Sequence, residues 1–415
     1  MAKTIVIIGT LDTKGAEIGY LRDRLQALDL ETIVVDSGIL DGPLGITLDP
    51  DRDISRSQAA AYAGVTIDAL RSAGSRGKAV AGMREALKKL TLELYGKGKL
   101  DGITSMGGAE GAVMGAAAMM QLPVGVPKVL VSPIASGKHY FDPLVGTSDI
   151  MVVHSIVDIL GLNPIATTIF DNVAAALKGM VEHGHVLPEP VDGERYVAVT
   201  MLGNTTKAVM SLKERLADHG YEAVIFHSNG VGGPAMEELA AAGQFVGVID
   251  FTTNETYDPM VGGIHDGGTE RLRRVGQVGL PQVIVPGCID FSVFHAGHIP
   301  DKLAARPVYD HNPEYTLIRT SLEEMIELGH LFAERLNEAT GPVVIAVPTD
   351  GLSIPNVPEG PFWNPDADLA FLETLQAKIR QDIPVHTYKA HVNDPAFGCQ
   401  VADLFIELMK EYAYS

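Results

Sequence analysis

Unbroken apolar runs, each the length of a short strand, alternate along this chain with longer amphipathic stretches. Strands buried on both faces by crossover helices read this way, so the pattern predicts parallel β-sheets covered by helices. In the first half the predicted strands span 4–9, 32–36, 102–106, 128–132 and 150–154, and the predicted helices 16–28, 80–95, 109–120 and 171–183. The stretch Leu187-Pro188-Glu189-Pro190-Val191-Asp192-Gly193 has two prolines, charge and no periodicity, and reads as a linker. Beyond it, strands are predicted at 196–200, 223–227, 245–251, 282–285, 343–347 and 385–388, and helices at 208–218, 235–242, 320–336, 366–381 and 396–412. The expected architecture is α/β, with two Rossmann-like parallel-sheet domains at 1–187 and 188–415.

The halves also resemble each other. Leu21-Arg22-Asp23-Arg24-Leu25 precedes the apolar run Glu31 to Asp36, and Leu212-Lys213-Glu214-Arg215-Leu216 precedes Glu222 to His227. Leu21 to Leu212 and Glu31 to Glu222 are both steps of 191 residues. Farther on, Val126-Pro127-Lys128-Val129 matches Leu280-Pro281-Gln282-Val283 at a step of 154, so the first copy carries about 37 extra residues. They fall between Pro50 and Leu90, where 55–73 and 78–90 read as added helices: a lid, a dimer surface or a thicker helical layer. The pattern is that of a duplicated β-turn-α-β unit, with a cleft expected between the two copies.

At 415 residues, 46% of them hydrophobic, the chain can bury two substantial cores. Its formal net charge of −20 argues against nucleic acid and anionic membrane as general partners. Cys288 and Cys399 are the only cysteines, too few for a disulfide framework and consistent with a reducing cytoplasm. Asp12 comes too early for a signal-peptide core, and no apolar run has the length of a membrane span. A cytoplasmic protein is expected.

Standard nucleotide motifs are absent: Leu11 and Thr13 stand where a GxGxxG would need glycine. Gly9-Thr10-Leu11-Asp12-Thr13-Lys14 nevertheless ends the first strand just ahead of a helix. There backbone N–H groups, two hydroxyls (Thr10, Thr13) and the Lys14 ammonium suit an anion. The competing reading makes Asp12 or Thr13 a helix cap and Lys14 a solvated side chain. Asp36 ends the second strand, where such domains often hold a ribose hydroxyl, and it equally suits a turn before Gly38. Gly107 and Gly108 follow the third strand and permit close approach to a phosphate or base, or simply a tight turn. A dense polar segment, Ala135 to Asp142, would face the same crevice.

In the second half, Ser228-Asn229-Gly230-Val231-Gly232-Gly233 makes a backbone cradle for a carboxylate or phosphate, with Glu255 at the next strand end. His265, Asp290 and His295 are candidate catalytic groups, and Cys288 a candidate nucleophile beside a histidine. His295-Ala296-Gly297-His298 lacks the spacing logic of a zinc motif, so no metal ligand set is assigned.

The segments Gly9 to Lys14, Ser136-Gly137-Lys138-His139-Tyr140-Phe141-Asp142 and His227-Ser228-Asn229-Gly230 resemble the family named after the tomato mosaic virus resistance protein. The resemblance runs over essentially the whole chain and covers that family's N-terminal ATP-binding region, without the plant protein's further C-terminal barrel. It implies two Rossmann-like subdomains, ATP with Mg²⁺ as cofactors, and self-association as a dimer. Nucleotide contact carries over to Thr10, Asp12, Thr13, Lys14, Gly107 and Gly108, which sit in the matching motifs. Three functions stay open: an ATP-binding protein acting on a small carboxylate or phosphate at the domain interface, a metal- or histidine-dependent hydrolase or lyase of a small oxoacid, and a nucleotide-sensing module without catalysis.

Overall fold

Thr4-Ile5-Val6-Ile7-Ile8-Gly9 forms the first strand of a computed structural model that describes residues 2–42, 44–135, 142–188 and 193–413. Its β-branched side chains are buried on both faces, as a central parallel strand requires. The chain divides into two compact units, Met1–Pro188 and Glu189–Ser415.

The first unit runs β1 (Thr4–Gly9), α1 (Leu11–Gln26), β2 (Glu31–Asp36), α2 (Arg56–Ala61), α3 (Ile67–Arg71), α4 (Arg76–Gly96), β3 (Gly102–Met106), α5 (Ala109–Met119), β4 (Lys128–Ser132), α6 (Asp142–Val145), β5 (Met151–His154) and α7 (Pro164–His183). Its strands pair in the order β2-β1-β3-β4-β5, all parallel. Two apolar layers cover the faces. One joins Val6, Ile8 and Ile103 to Met83, Leu87 and Leu90 of α4, and the other joins Ile5 and Ile7 to Ile18, Leu21, Phe170 and Leu177 of α1 and α7.

The second unit runs β6 (Tyr196–Met201), α8 (Thr206–Ala217), β7 (Glu222–His227), α9 (Gly232–Ala241), β8 (Gly247–Thr252), α10 (Asp258–Val261), α11 (Arg274–Gln277), β9 (Gln282–Gly287), β10 (Phe291–His295), β11 (Val308–Asp310), β12 (Tyr315–Arg319), α12 (Leu322–Leu336), β13 (Val343–Pro348), α13 (Pro365–Lys378), β14 (Val385–Tyr388) and α14 (Pro395–Ala413). Six strands pair in parallel in the order β7-β6-β8-β9-β13-β14, and β10, β12 and β11 form a separate antiparallel sheet. The first five parallel strands thus repeat the order of the first unit.

The duplication extends to single bonds. Ser37 N donates to Gly9 O, and Ser228 N, 191 positions on, donates to Met201 O, each at 2.9 Å. Between the second and third strands the second copy has one crossover helix, the 10-residue α9, so the extra residues of the first copy are α2, α3 and the added length of the 21-residue α4. Among the described residues, no helix is long and apolar enough to cross a membrane.

Candidate functional site

In the first unit the chain leaves β1 and β3 toward opposite ends of the sheet order, and open α/β sheets bind ligands at the strand ends where this happens. A cleft of about 390 Å³ lies there. α1 starts one residue after β1, so Thr10 is the N-cap and its carbonyl accepts Thr13 N (3.1 Å) and Lys14 N (2.8 Å). The Thr10 and Thr13 hydroxyl oxygens are 2.9 Å apart. Gly108 is the N-cap of α5, and a Cβ built on it would touch nothing within 4 Å, so its backbone faces open space. Neither Thr10 nor Gly108 makes a side-chain capping bond, which leaves the positive end of α5 at the cleft beside the first turn of α1, a turn separated from the rest of that helix by a break at Lys14 (φ −128°, ψ 18°). Thr10, Asp12, Thr13, Lys14 and Gly108 all line it.

Two other expected nucleotide contacts do not line this cleft. Asp36 is buried, and its carboxylate accepts Leu11 N (3.2 Å), Gly38 N (2.9 Å) and Arg56 Nε (2.6 Å). Burial pushes its pKa up against the pull of these donors. Gly107 is packed against Gly111, where a Cβ would lie 2.9 Å from the Gly111 Cα. Lys14 lines the cleft while its ammonium donates to the Ile159 carbonyl. Asp12 Oδ2 accepts Leu40 N at 2.9 Å.

Sequence reasoning missed the rest of the lining. Ile39, Leu40, Val80 and Met114 add apolar lining, and Arg76 and Glu110, which also line the cleft, pair at 2.6 Å. Arg76 and Val80 belong to α4; the insertion was visible in the sequence, but not the side it would cover. The polar segment 136–141, and the side chain of Asp142, lie outside the described residues.

The second unit closes the corresponding end with its own chain. Asn393 Oδ1 accepts Lys207 N (2.8 Å) and Ala208 N (3.3 Å) at the start of α8, and Asn204 Oδ1 accepts Ile354 N (3.0 Å). The glycine cradle likewise holds an internal anion. Glu255 Oε1 accepts Gly230 N (2.7 Å) and Gly233 N (3.2 Å), and its Oε2 accepts Arg271 Nε (2.8 Å). Arg271 also binds Glu237 (2.8 Å) and both oxygens of Asp250 (2.5 and 2.9 Å). Arg271 is fully buried; burial would weaken its charge, but Asp250, Glu255 and Glu237 together hold it firmly cationic. Ser228 is buried and donates to Thr252 O, Gly232 is packed on the His227 carbonyl, and Asn229 is exposed.

Asp290 is buried, accepts the Ser353 hydroxyl at 2.6 Å, and has its carboxyl pushed up by burial. Cys288 is buried at φ 63°, and burial raises its thiol well above the usual range, away from a nucleophilic thiolate. His295 is exposed at the end of β10 beside Tyr315. His265 is held by its neighbours with its pKa lowered to about 4, first by burial and then by His227 and His311. Among the described residues, no three His, Cys, Asp or Glu side chains converge as a metal site.

Fold and cleft define a protein of two parallel-sheet α/β units, the first open at its topological switch point. The chain belongs to the uncharacterised protein family UPF0261, whose N-terminal domain matches residues 3–185 and whose C-terminal domain matches 194–409. A UPF0261 protein of Clostridium tetani is 36% identical, covering 99% of this chain and all of that one. The tomato ToMV susceptible protein tm-1(GCR26) and ToMV resistance protein Tm-1(GCR237) are 32% and 31% identical. Each alignment covers 97% of this chain and 55% of the tomato protein. The solved UDP-GlcNAc 2-epimerase of Methanocaldococcus jannaschii aligns over 98% of this chain and 100% of its own at 10% identity, with a TM-score of 0.22, and nothing about function follows from it.

Proposed function

We propose that the first unit binds a nucleotide, ATP with Mg²⁺, in the cleft at the ends of β1 and β3. The supporting observation is the mixed lining of the cleft. It brings together the N-terminus of α5, the Thr10 and Thr13 hydroxyls, Lys14 and the Glu110-paired Arg76, a set suited to phosphates. Ile39, Leu40, Val80 and Met114 line the same cleft and suit the face of a base. The volume falls within the usual range for small-ligand sites, about 300–1,000 Å³. ATP rather than another nucleotide is what the tomato-family resemblance implies.

The acidic groups fit Mg²⁺ only as a nucleotide-borne ion. Among the described residues that line the cleft, Asp12 is the carboxylate without an ion-pair partner, and Mg²⁺ commonly takes one or two carboxylates, substrate phosphates and water. When bound, the ion would neutralise phosphate charge in a strongly acidic protein. Asp36, with three donors already on its carboxylate, is assigned to holding the start of α1 rather than the ribose.

Thermal unfolding of the full chain with ATP and Mg²⁺, singly and together, tests this reading. The midpoint is expected to rise with the pair, and Lys14→Ala and Arg76→Ala to lose most of the rise. Arg76 is exposed, so its loss should leave the ligand-free midpoint nearly unchanged. An unmoved midpoint in the parent protein overturns the proposal.

A further inference from the structure

The second unit holds a histidine that the nucleotide site does not use. His265 lies in the loop between α10 and α11 and is fixed at two points. Its backbone N donates to Asp258 Oδ2 at 2.7 Å, and its ring Nδ1 lies 3.1 Å from Asn254 Nδ2. Asn254 is fully buried in the turn directly after β8. With the Asn254 amide donating, Nδ1 is the unprotonated nitrogen, and the neutral ring carries its hydrogen on Nε2. No described residue forms a hydrogen bond with Nε2.

Three further observations separate this arrangement from an ordinary packed histidine. The Asn254 Oδ1 is buried and has no partner, which native interiors rarely tolerate unless something else completes the site. Asp258, the only carboxyl bonded to the loop's His265 amide, is itself pushed well up by complete burial, toward the neutral acid. Burial thus works against its holding the negative charge that would draw a second proton onto the ring. The loop also packs on the cradle loop: Gly230, at φ 96°, has so little room that a Cβ would lie 3.1 Å from the His265 Cα. This contact sets the exposed His227 and Asn229 beside His265, and His311 lies close enough to repel its protonation.

We propose that His265 is the ligand-contacting residue of a second site, where its Nε2–H donates to an oxygen of a small oxyanion, a carboxylate or a phosphate. Asn254 is the positioning residue that fixes the tautomer, and His227 and His311 flank the bound oxygen with further imidazole donors. A neutral imidazole donor of this kind can polarise a carbonyl or hold an oxyanion without releasing a proton. The site is independent of the nucleotide cleft and stands or falls separately.

The test uses the full chain with ¹⁵N-labelled histidine, read by long-range ¹H–¹⁵N spectra near neutral pH. The parent is expected to show His265, identified by its absence in His265→Gln, as the Nε2–H tautomer. Inorganic phosphate and oxalate are then titrated separately. One of them is expected to shift Nε2 saturably, and which one does so tells phosphate from carboxylate. Asn254→Ala should mix the tautomers and weaken that response about tenfold, the scale of one lost hydrogen bond. His227→Gln and His311→Gln, both at exposed positions, are the folding-safe variants, and each should weaken it at least about twofold. An Nδ1–H tautomer in the parent, or no saturable shift with either anion, overturns the proposal.

Discussion

Asp36 and His227 stand at equivalent points of the two copies, one residue before the serines whose amides tie the second strand of each unit to the first. In the first copy the position is an acid that binds the opening amide of α1 and the Arg56 guanidinium. In the second it is an exposed histidine beside His265. One backbone geometry thus carries a structural acid in one copy and a candidate ligand group in the other. That difference was legible as residue identity but not as role, because burial and partners come from segments far along the chain. The same is true of Arg271, whose three carboxylates come from α9, β8 and the turn after it with no local spacing to announce them. Titration separates these residues experimentally. His265 has a pKa of about 4 in the folded chain against 6.5 unfolded, so between those values only the unfolded chain takes up the proton. Stability from this group is complete above about pH 6.5 and is lost as pH falls toward 4, by at most roughly 3 kcal/mol. Asp368 works oppositely: burial first, with Asp290 opposing the pull of Arg319, raises its pKa from 3.8 to about 6, so its contribution weakens as pH rises across that window. His265→Gln removes the His265 slope and leaves the others in place, so its urea midpoint should rise relative to the parent's on acidification. Parallel midpoint curves for the two proteins would show that His265 is not held neutral.

At the scale of elements, the parallel strands were legible because complete burial leaves continuous apolar runs, and the first-unit strands lie within a residue or so of expectation. The antiparallel sheet was not. Phe291–His295 and Tyr315–Arg319 pair with His295 opposite Tyr315, and such long-range register leaves no mark in either segment alone. The helix expected from residue 16 is the regular part of α1: a first turn from Leu11 is broken at Lys14 (φ −128°, ψ 18°), and the helix proper runs from Gly15. Gly15 is there for packing: a Cβ there would lie 1.5 Å from the Leu44 carbonyl oxygen. Intrinsic propensity favours alanine over glycine in a helix by about 0.5–1 kcal/mol. Overpacking against backbone works the other way, so Gly15→Ala should destabilise the protein by about 1–3 kcal/mol in denaturant unfolding. A stabilised variant would show that α1 can move off the 44–45 loop freely. Helix α12 offers a contrasting case that local sequence did reveal. Ser321 Oγ accepts Glu324 N at 3.2 Å and Glu324 Oε2 accepts Ser321 N at 3.0 Å, a capping box written as Ser-Leu-Glu-Glu. Ser321→Ala should cost about 1 kcal/mol by the same measurement.

For the whole molecule, the repeated strand order makes the difference between the copies informative. Each unit has its own apolar layers, and each places strand ends and helix starts where a ligand could sit. Only the second fills that position internally, with Asn393 at the start of α8 and the Ile354 amide on Asn204. The first instead adds α2 and α3 and lengthens its crossover helix to the 21-residue α4, which brings Arg76 and Val80 to the cleft. Duplication followed by closing one copy and elaborating the other would divide the labour in this way, with the nucleotide confined to the first unit. Expressing residues 1–188 and 189–415 separately puts this to a direct test. Each fragment is expected to unfold cooperatively on its own core. ATP with Mg²⁺ should raise the midpoint of the first fragment alone, with about 2.7 kcal/mol of stabilisation once the nucleotide is a hundredfold above its dissociation constant. A response confined to the second fragment would mean that the polar closure around Asn393 opens to admit the nucleotide, and the roles given to the two copies would have to be exchanged.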